Sequence, residues 1–133
     1  MSLKAIKAFY WTTFGLSVII LPLNFGLELI TVGLVILPIL ILHLSVGVRL
    51  NKIENYKISI ILSGANLLIF ALIRPDGVHA FTDTGLSSIL EIFGIYAGYD
   101  HEYEDYFFVG SLILLLFQGI MDIRLRKLAR ASE

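Results

Sequence analysis

Glu28, His43, Asn66, Arg74, Gln118 and Asp122 each carry a charge, an amide or an imidazole inside or at the edge of otherwise apolar runs. An ionisable group left unpaired in hydrocarbon costs at least ~2.5 kcal/mol, so a residue in such a place needs a partner or a task. Counted along helices, Glu28 and Arg74 lie level at one boundary. His43 lies level with Gln118 and close to Asp122 towards the other, and Asn66 falls near the middle. Two chemistries fit this layering. The residues could line a path, Glu28 to Asn66 to His43 to Asp122, for protons or a cation. Alternatively they tie helices together, each bond contributing roughly 0.6 kcal/mol and fixing register. Ser59, Ser63 and Asn66 recur at i, i+4 and i+7, a small polar stripe suited to close helix contact. The tying role is the expectation, because the middle layer holds a neutral amide and no acid.

A second group lies outside the apolar runs. Asp100-His101-Glu102-Tyr103-Glu104-Asp105 is the densest polar stretch, and His79 with Asp76 could return to it. His79, Asp100, His101 and Glu104 are the weak candidates for a divalent cation held by imidazole and carboxylate. No HExxH or EF-hand spacing supports a metal, and acids just before a helix are already favoured by its positive end. No metal or cofactor is therefore expected. An enzyme is not expected either: no GxSxG elbow or Walker loop appears, Ser45 beside His43 is adjacency only, and His79 with His101 lacks a nucleophile.

The elements that position these residues follow from the apolar runs. Of 133 residues, 57% are hydrophobic and 16% charged, with mean hydropathy +0.85. An ordinary soluble domain carries roughly 25% charged residues, so a soluble enzyme or a nucleic-acid binder is a poor reading. Cysteine is absent, which excludes disulfides and thiolate sites within the chain. Between Lys7 and Arg49 the only charge is Glu28. That run is too long for one spanning helix of about 20 residues, and Pro22, Asn24 and Gly26 offer a break. The expected spans are about 5–21, 27–48, 57–73 and 106–123, with Pro38 inside the second and Arg74-Pro75-Asp76-Gly77 ending the third. The fold class is an all-α bundle of four transmembrane helices in a single domain covering 1–133.

The outer segment, 74–105, holds its own helical pattern. Thr82-Asp83-Thr84 offers N-caps, and Leu86, Ile89, Leu90, Phe93 and Tyr96 or Ala97 follow at helical spacing, for three to four turns with Ser87, Ser88 and Glu91 on a polar side that Ile92 and Ile95 blur. An interfacial connector is expected, with a lid over a cavity as the alternative. Phe9, Tyr10 and Trp11 at one boundary, and Tyr96, Tyr99, Tyr103 and Tyr106 at the other, read as aromatic belts.

Nine of the ten Lys and Arg residues fall on one side of this topology, and only Arg74 on the other. By the positive-inside rule both termini face the cytoplasm. Lys4 and Lys7 before an apolar stretch resemble a signal peptide, but no small-residue cleavage motif follows, so the segment is expected to stay attached. A multi-pass protein of the cytoplasmic membrane is expected, in contact with the lipid bilayer and with another membrane protein or its own copies, and with no nucleic acid. The expected function is an accessory, regulatory or immunity-type subunit. A small oligomeric channel or transporter is the alternative.

Overall fold

A computed structural model describes residues 2–23, 27–76, 83–95 and 103–132. Its helices are α1 (Leu3–Leu23), α2 (Leu27–Gly47), α3 (Lys57–Ile73), α4 (Gly85–Ile92) and α5 (Glu104–Ala131), and a 3-10 segment, Leu50–Tyr56, joins α2 to α3. Apart from a two-residue antiparallel bridge, β1 (Pro75–Asp76) with β2 (Asp83–Thr84), these elements are helical. Three stretches are long and apolar enough to cross a membrane: Leu3–Leu23, Leu50–Ile73 and Asp105–Ala131. Gly33–Gly47 of α2 is a shorter apolar helix. Leu34 is 82% exposed and Leu116 69%, surface that water would reject and lipid accepts. Membrane insertion is what these faces suggest.

Several expected boundaries shift, each for a local reason. Helix α1 continues past Leu21 through Pro22 to Leu23, because a proline in the final turn removes only one backbone bond. Helix α5 does not stop at Ile123 but runs to Ala131, about 42 Å in all. Arg, Lys, Leu and Ala are good helix formers, and Leu125 and Ala129 bury their side chains in the core. Helix α4 spans two turns rather than three to four. Gly94, at φ 76°, turns the chain, and the Gly94 and Ile95 amides donate to the Glu91 and Leu90 carbonyls.

Ser87 is buried, not on a polar face. Its amide donates to Thr84 Oγ1 at 3.2 Å, and the Thr84 amide donates back to Ser87 Oγ at 2.7 Å, a reciprocal cap. Leu86 and Phe93, expected on the packed side, are exposed. Helix α4 packs through its start, where Gly85 sits against Ala71 of α3 and Ile20 of α1, and through Ile89, which is half-buried against the cluster that contains them.

Helix α3 is the centre of the bundle, packed on α1 and α5, while α2 leans mainly on α5. Two apolar clusters fill the interior. Ile6, Tyr10, Val46, Leu50, Ile53, Ile60, Leu125 and Ala129 form one at the basic end. Ile20, Leu21, Ile36, Leu67, Phe70, Ala71 and Leu115 form the other, towards α4. On each long helix buried polar side chains lie between the two: Thr13 and Ser17 on α1, His43 on α2, Ser63 and Asn66 on α3, and Gln118 and Asp122 on α5.

Candidate functional site

The layer between the clusters takes side chains from all four long helices. Helix α5 supplies Gln118 and Asp122, one turn apart and so on one face; α3 supplies Ser63 and Asn66; α2 supplies His43; and on α1 Tyr10, at the edge of the cluster at the basic end, reaches the layer through His43. His43, Ser63, Gln118, Asp122 and Tyr10 are all fully buried.

Asp122 is the acceptor around which the rest is arranged. Ser63 Oγ donates to its Oδ1 at 2.6 Å, Gln118 Nε2 donates to Oδ2 at 2.9 Å, and His43 Nδ1 lies 3.0 Å from the same Oδ2. Gln118 Nε2 is also 3.0 Å from Ser63 Oγ and 3.0 Å from His43 Nδ1. An amide nitrogen has two protons, so it cannot serve all three neighbours. One assignment uses every donor once: His43 carries its proton on Nδ1 and gives it to Asp122, while Gln118 gives one proton to Asp122 and the other to Ser63. The approach of Gln118 to His43 is then a contact between two donors. The same assignment frees Gln118 Oε1 to accept from Asn66 Nδ2 at 2.8 Å, and Asn66 spends its second proton on the Leu114 carbonyl at 2.9 Å.

Helix α1 joins through aromatic contact and one bond. The Tyr10 ring lies over the His43 imidazole, centroids 4.2 Å apart and planes 9° from parallel, and Phe14 stacks at 5.4 Å. The Tyr10 hydroxyl donates to the His43 carbonyl at 2.9 Å. His43 Nε2 is buried and has no hydrogen-bond partner among the described residues.

Four of the six sequence candidates, His43, Asn66, Gln118 and Asp122, thus share one network. Arg74 is buried elsewhere, at the C-cap of α3, where its Nη2 donates to the Leu21 carbonyl at 3.2 Å. Glu28 belongs to α2, but its side chain lies outside the described residues, as do His79, Asp100, His101 and the side chain of Glu104. Among the described residues no group of three His, Cys, Asp or Glu could hold a metal ion.

Two members were missed. Tyr10 was expected in an aromatic belt, yet Ile6, Tyr10, Thr13, Ser17 and Ile20 make the buried stripe of α1, and that spacing was visible. Ser63 was assigned to close packing, and Gly64 does provide that: a Cβ there would meet Thr13 Oγ1 at 2.8 Å. Its bond to Asp122 had no signal in sequence. Apart from His43 Nε2, the side-chain donors and acceptors of the layer are spent on one another or on backbone carbonyls. Ser63 spends its proton on Asp122, so His43 does not activate it as a nucleophile. No family profile, curated protein or solved structure matches the chain.

Proposed function

We propose that this chain is a small interaction protein of the cytoplasmic membrane, an accessory, regulatory or immunity-type subunit that binds another membrane protein and has no catalysis of its own. In this reading α1, α2, α3 and α5 all span, both termini are cytoplasmic, and α4 lies outside. The supporting observation is where free surface lies: the polar side chains of the layer, His43 Nε2 excepted, are spent on one another or on backbone carbonyls, whereas the clefts between the long helices open outward with apolar walls. One such cleft, between α1 and α2, is lined by Val18, Leu21, Pro22, Gly33, Ile36 and Leu40. A Cβ at Gly33 would meet nothing within 4 Å, so the floor of the cleft has room for a partner helix to approach closely.

The test is the composition and mass of the protein purified at native abundance in mild detergent. A distinct membrane protein in fixed stoichiometry, lost in Gly33→Leu, is the expected result. A symmetric homo-oligomer with nothing else bound would favour the alternative, a channel or transporter. The feature in favour of that alternative is His43 Nε2, a buried nitrogen with no hydrogen-bond partner among the described residues.

Topology has its own check, since the chain has no cysteine of its own. Cysteines placed singly at Ser2, Asn55, Glu91 and Ser132, all exposed, should react with an impermeant reagent in intact cells only at Glu91 on α4. Labelling at Asn55 would reject the four-span arrangement.

A further inference from the structure

A second outward cleft differs from the first in having a charged end. Between α2 and α5 runs a groove of about 570 Å³, lined by Val35 and Ile39 on one side and by Leu112, Leu116, Gly119 and Ile120 on the other. Its length along α5, from Leu112 to Ile123, is about 16 Å. Gly119 keeps it open, because a Cβ there would only touch Ile39 Cδ1 at 3.8 Å. Ile120 and Ile123 also line a further depression, which adds Arg124, Lys127 and Leu128. The two clefts therefore form one path, apolar along most of its length and basic at the end. Arg124 and Lys127, three residues apart and on one face, are exposed and make no hydrogen bond or ion pair among the described residues. From Ile123 to Ala131 the helix holds Arg124, Arg126, Lys127 and Arg130 and no acid.

We propose that this path is a binding site for an anionic phospholipid, an acyl chain lying in the α2–α5 groove and the headgroup phosphate held by Arg124 and Lys127. Charge complementarity selects this occupant. A partner helix would fill the apolar part but leave both cations unanswered, and a zwitterionic lipid would bring its own cation to them. Basic pockets at the ends of membrane helices hold anionic headgroups by this attraction. The inference rests on the spanning arrangement proposed above and not on the accessory role.

The test uses the full chain, delipidated in detergent and offered equal amounts of phosphatidylglycerol and phosphatidylcholine with identical acyl chains, with adducts read by native mass spectrometry. Phosphatidylglycerol should be preferred, and Arg124→Gln and Lys127→Gln should each reduce that preference about fivefold. Both are surface changes that leave the fold intact. Gly119→Leu should reduce adducts of both lipids, and Arg130→Gln should leave the preference unchanged. Glycerol phosphate without acyl chains should not displace the lipid at millimolar concentration.

Equal binding of the two lipids, or a loss in Arg130→Gln as large as in Arg124→Gln, would overturn the site. So would displacement by glycerol phosphate, or a dimer that Gly119→Leu abolishes. Alkaline carbonate extraction of membranes is run alongside. Extraction of the chain would reject the spanning arrangement, whereas integration without lipid preference would reject only the lipid site.

Discussion

The polar layer and the apolar cluster towards α4 are built from the same four long helices, yet they hold them in different ways. In the cluster Ile20, Leu21, Ile36, Leu67, Phe70, Ala71 and Leu115 touch without direction, and one close approach, Gly85 against the Ala71 carbonyl, fixes how α4 seats. In the layer every bond has a direction, and Asp122 accepts from three helices' worth of neighbours if its own is included. Within a membrane apolar side chains gain little from meeting each other rather than lipid, so packing alone leaves helices free to rotate or slide. The layer removes that freedom, since turning any one helix would strand a buried polar group. Register is thus set in one slab a few residues thick, and the apolar clusters fill in around it.

The largest effect expected from this contrast is at Asp122. Asp122→Leu takes away the acceptor of Ser63, Gln118 and His43 together, and each buried donor left without an acceptor costs about 1–3 kcal/mol. The thermal midpoint in detergent should fall steeply. His43→Leu combined with Asp122→Leu should regain most of the loss, because Gln118 and Ser63 still satisfy each other at 3.0 Å. A double variant as unstable as the single one would mean that the layer supports the fold through packing and not through its bonds.

A smaller loss is expected where shape alone matters. A Cβ on Gly85 would collide with the Ala71 carbonyl and stand 2.8 Å from Ile20 Cγ2. The nearer obstacle is backbone and cannot swing aside, so Gly85→Ala should cost roughly 1–3 kcal/mol and lift α4 from α1 and α3. Proteolysis within 83–95 should quicken while the midpoint of the long helices moves little. A fall in that midpoint as large as the one at Asp122 would remove the distinction drawn between the two regions.

Asn66 sits at the edge of the layer, one turn from the apolar cluster, and its effect should be smaller still. Asn66→Ala gives up the bonds to Gln118 Oε1 and the Leu114 carbonyl, together about 1 kcal/mol at membrane values. Because Gln118 keeps its other partners, Asn66→Ala and Asp122→Leu should be less than additive, which a double-mutant cycle in denaturant would measure.

How far this was legible in the sequence differs between the same two regions. Helix positions and the depth of His43, Gln118 and Asp122 could be read because charge-free runs have to match a bilayer, and counting residues from their ends assigns level. Tyr10 was misplaced because three consecutive aromatics, Phe9, Tyr10 and Trp11, point about 100° apart on a helix, so they cannot all face the boundary. The stripe from Ile6 to Ile20 was the stronger signal. Ser63 could not be assigned a bond, since which neighbour a hydroxyl selects depends on helix rotation and on α3 lying between α1 and α5. Helix α4 is shorter than its apolar spacing implies, because the turn at Gly94 rests on a backbone angle that a glycine permits but does not announce.

The smallest effect expected is none at all. If His43, Asn66, Gln118 and Asp122 hold helices in register, His43→Asn keeps a hydrogen-bonding side chain and should lower stability modestly while changing no flux. If the layer conducts, the same substitution removes its only imidazole, a group that can accept a proton on one ring nitrogen and donate from the other, and flux should fall while the fold survives. The geometry favours the first outcome. A proton moving along the layer would need a chain of groups that can each accept and then donate. Asn66 instead has both amide protons committed, one to Gln118 and one to a backbone carbonyl, and Ser63 and Gln118 both converge on Asp122 rather than leading away from it. Wild-type protein reconstituted in liposomes should therefore dissipate neither an imposed proton gradient nor a sodium gradient above the rate of protein-free vesicles. A gradient that collapses with the wild type and persists with His43→Asn would overrule the hydrogen-bond pattern and make the buried Nε2 of His43 the place where conduction enters the layer.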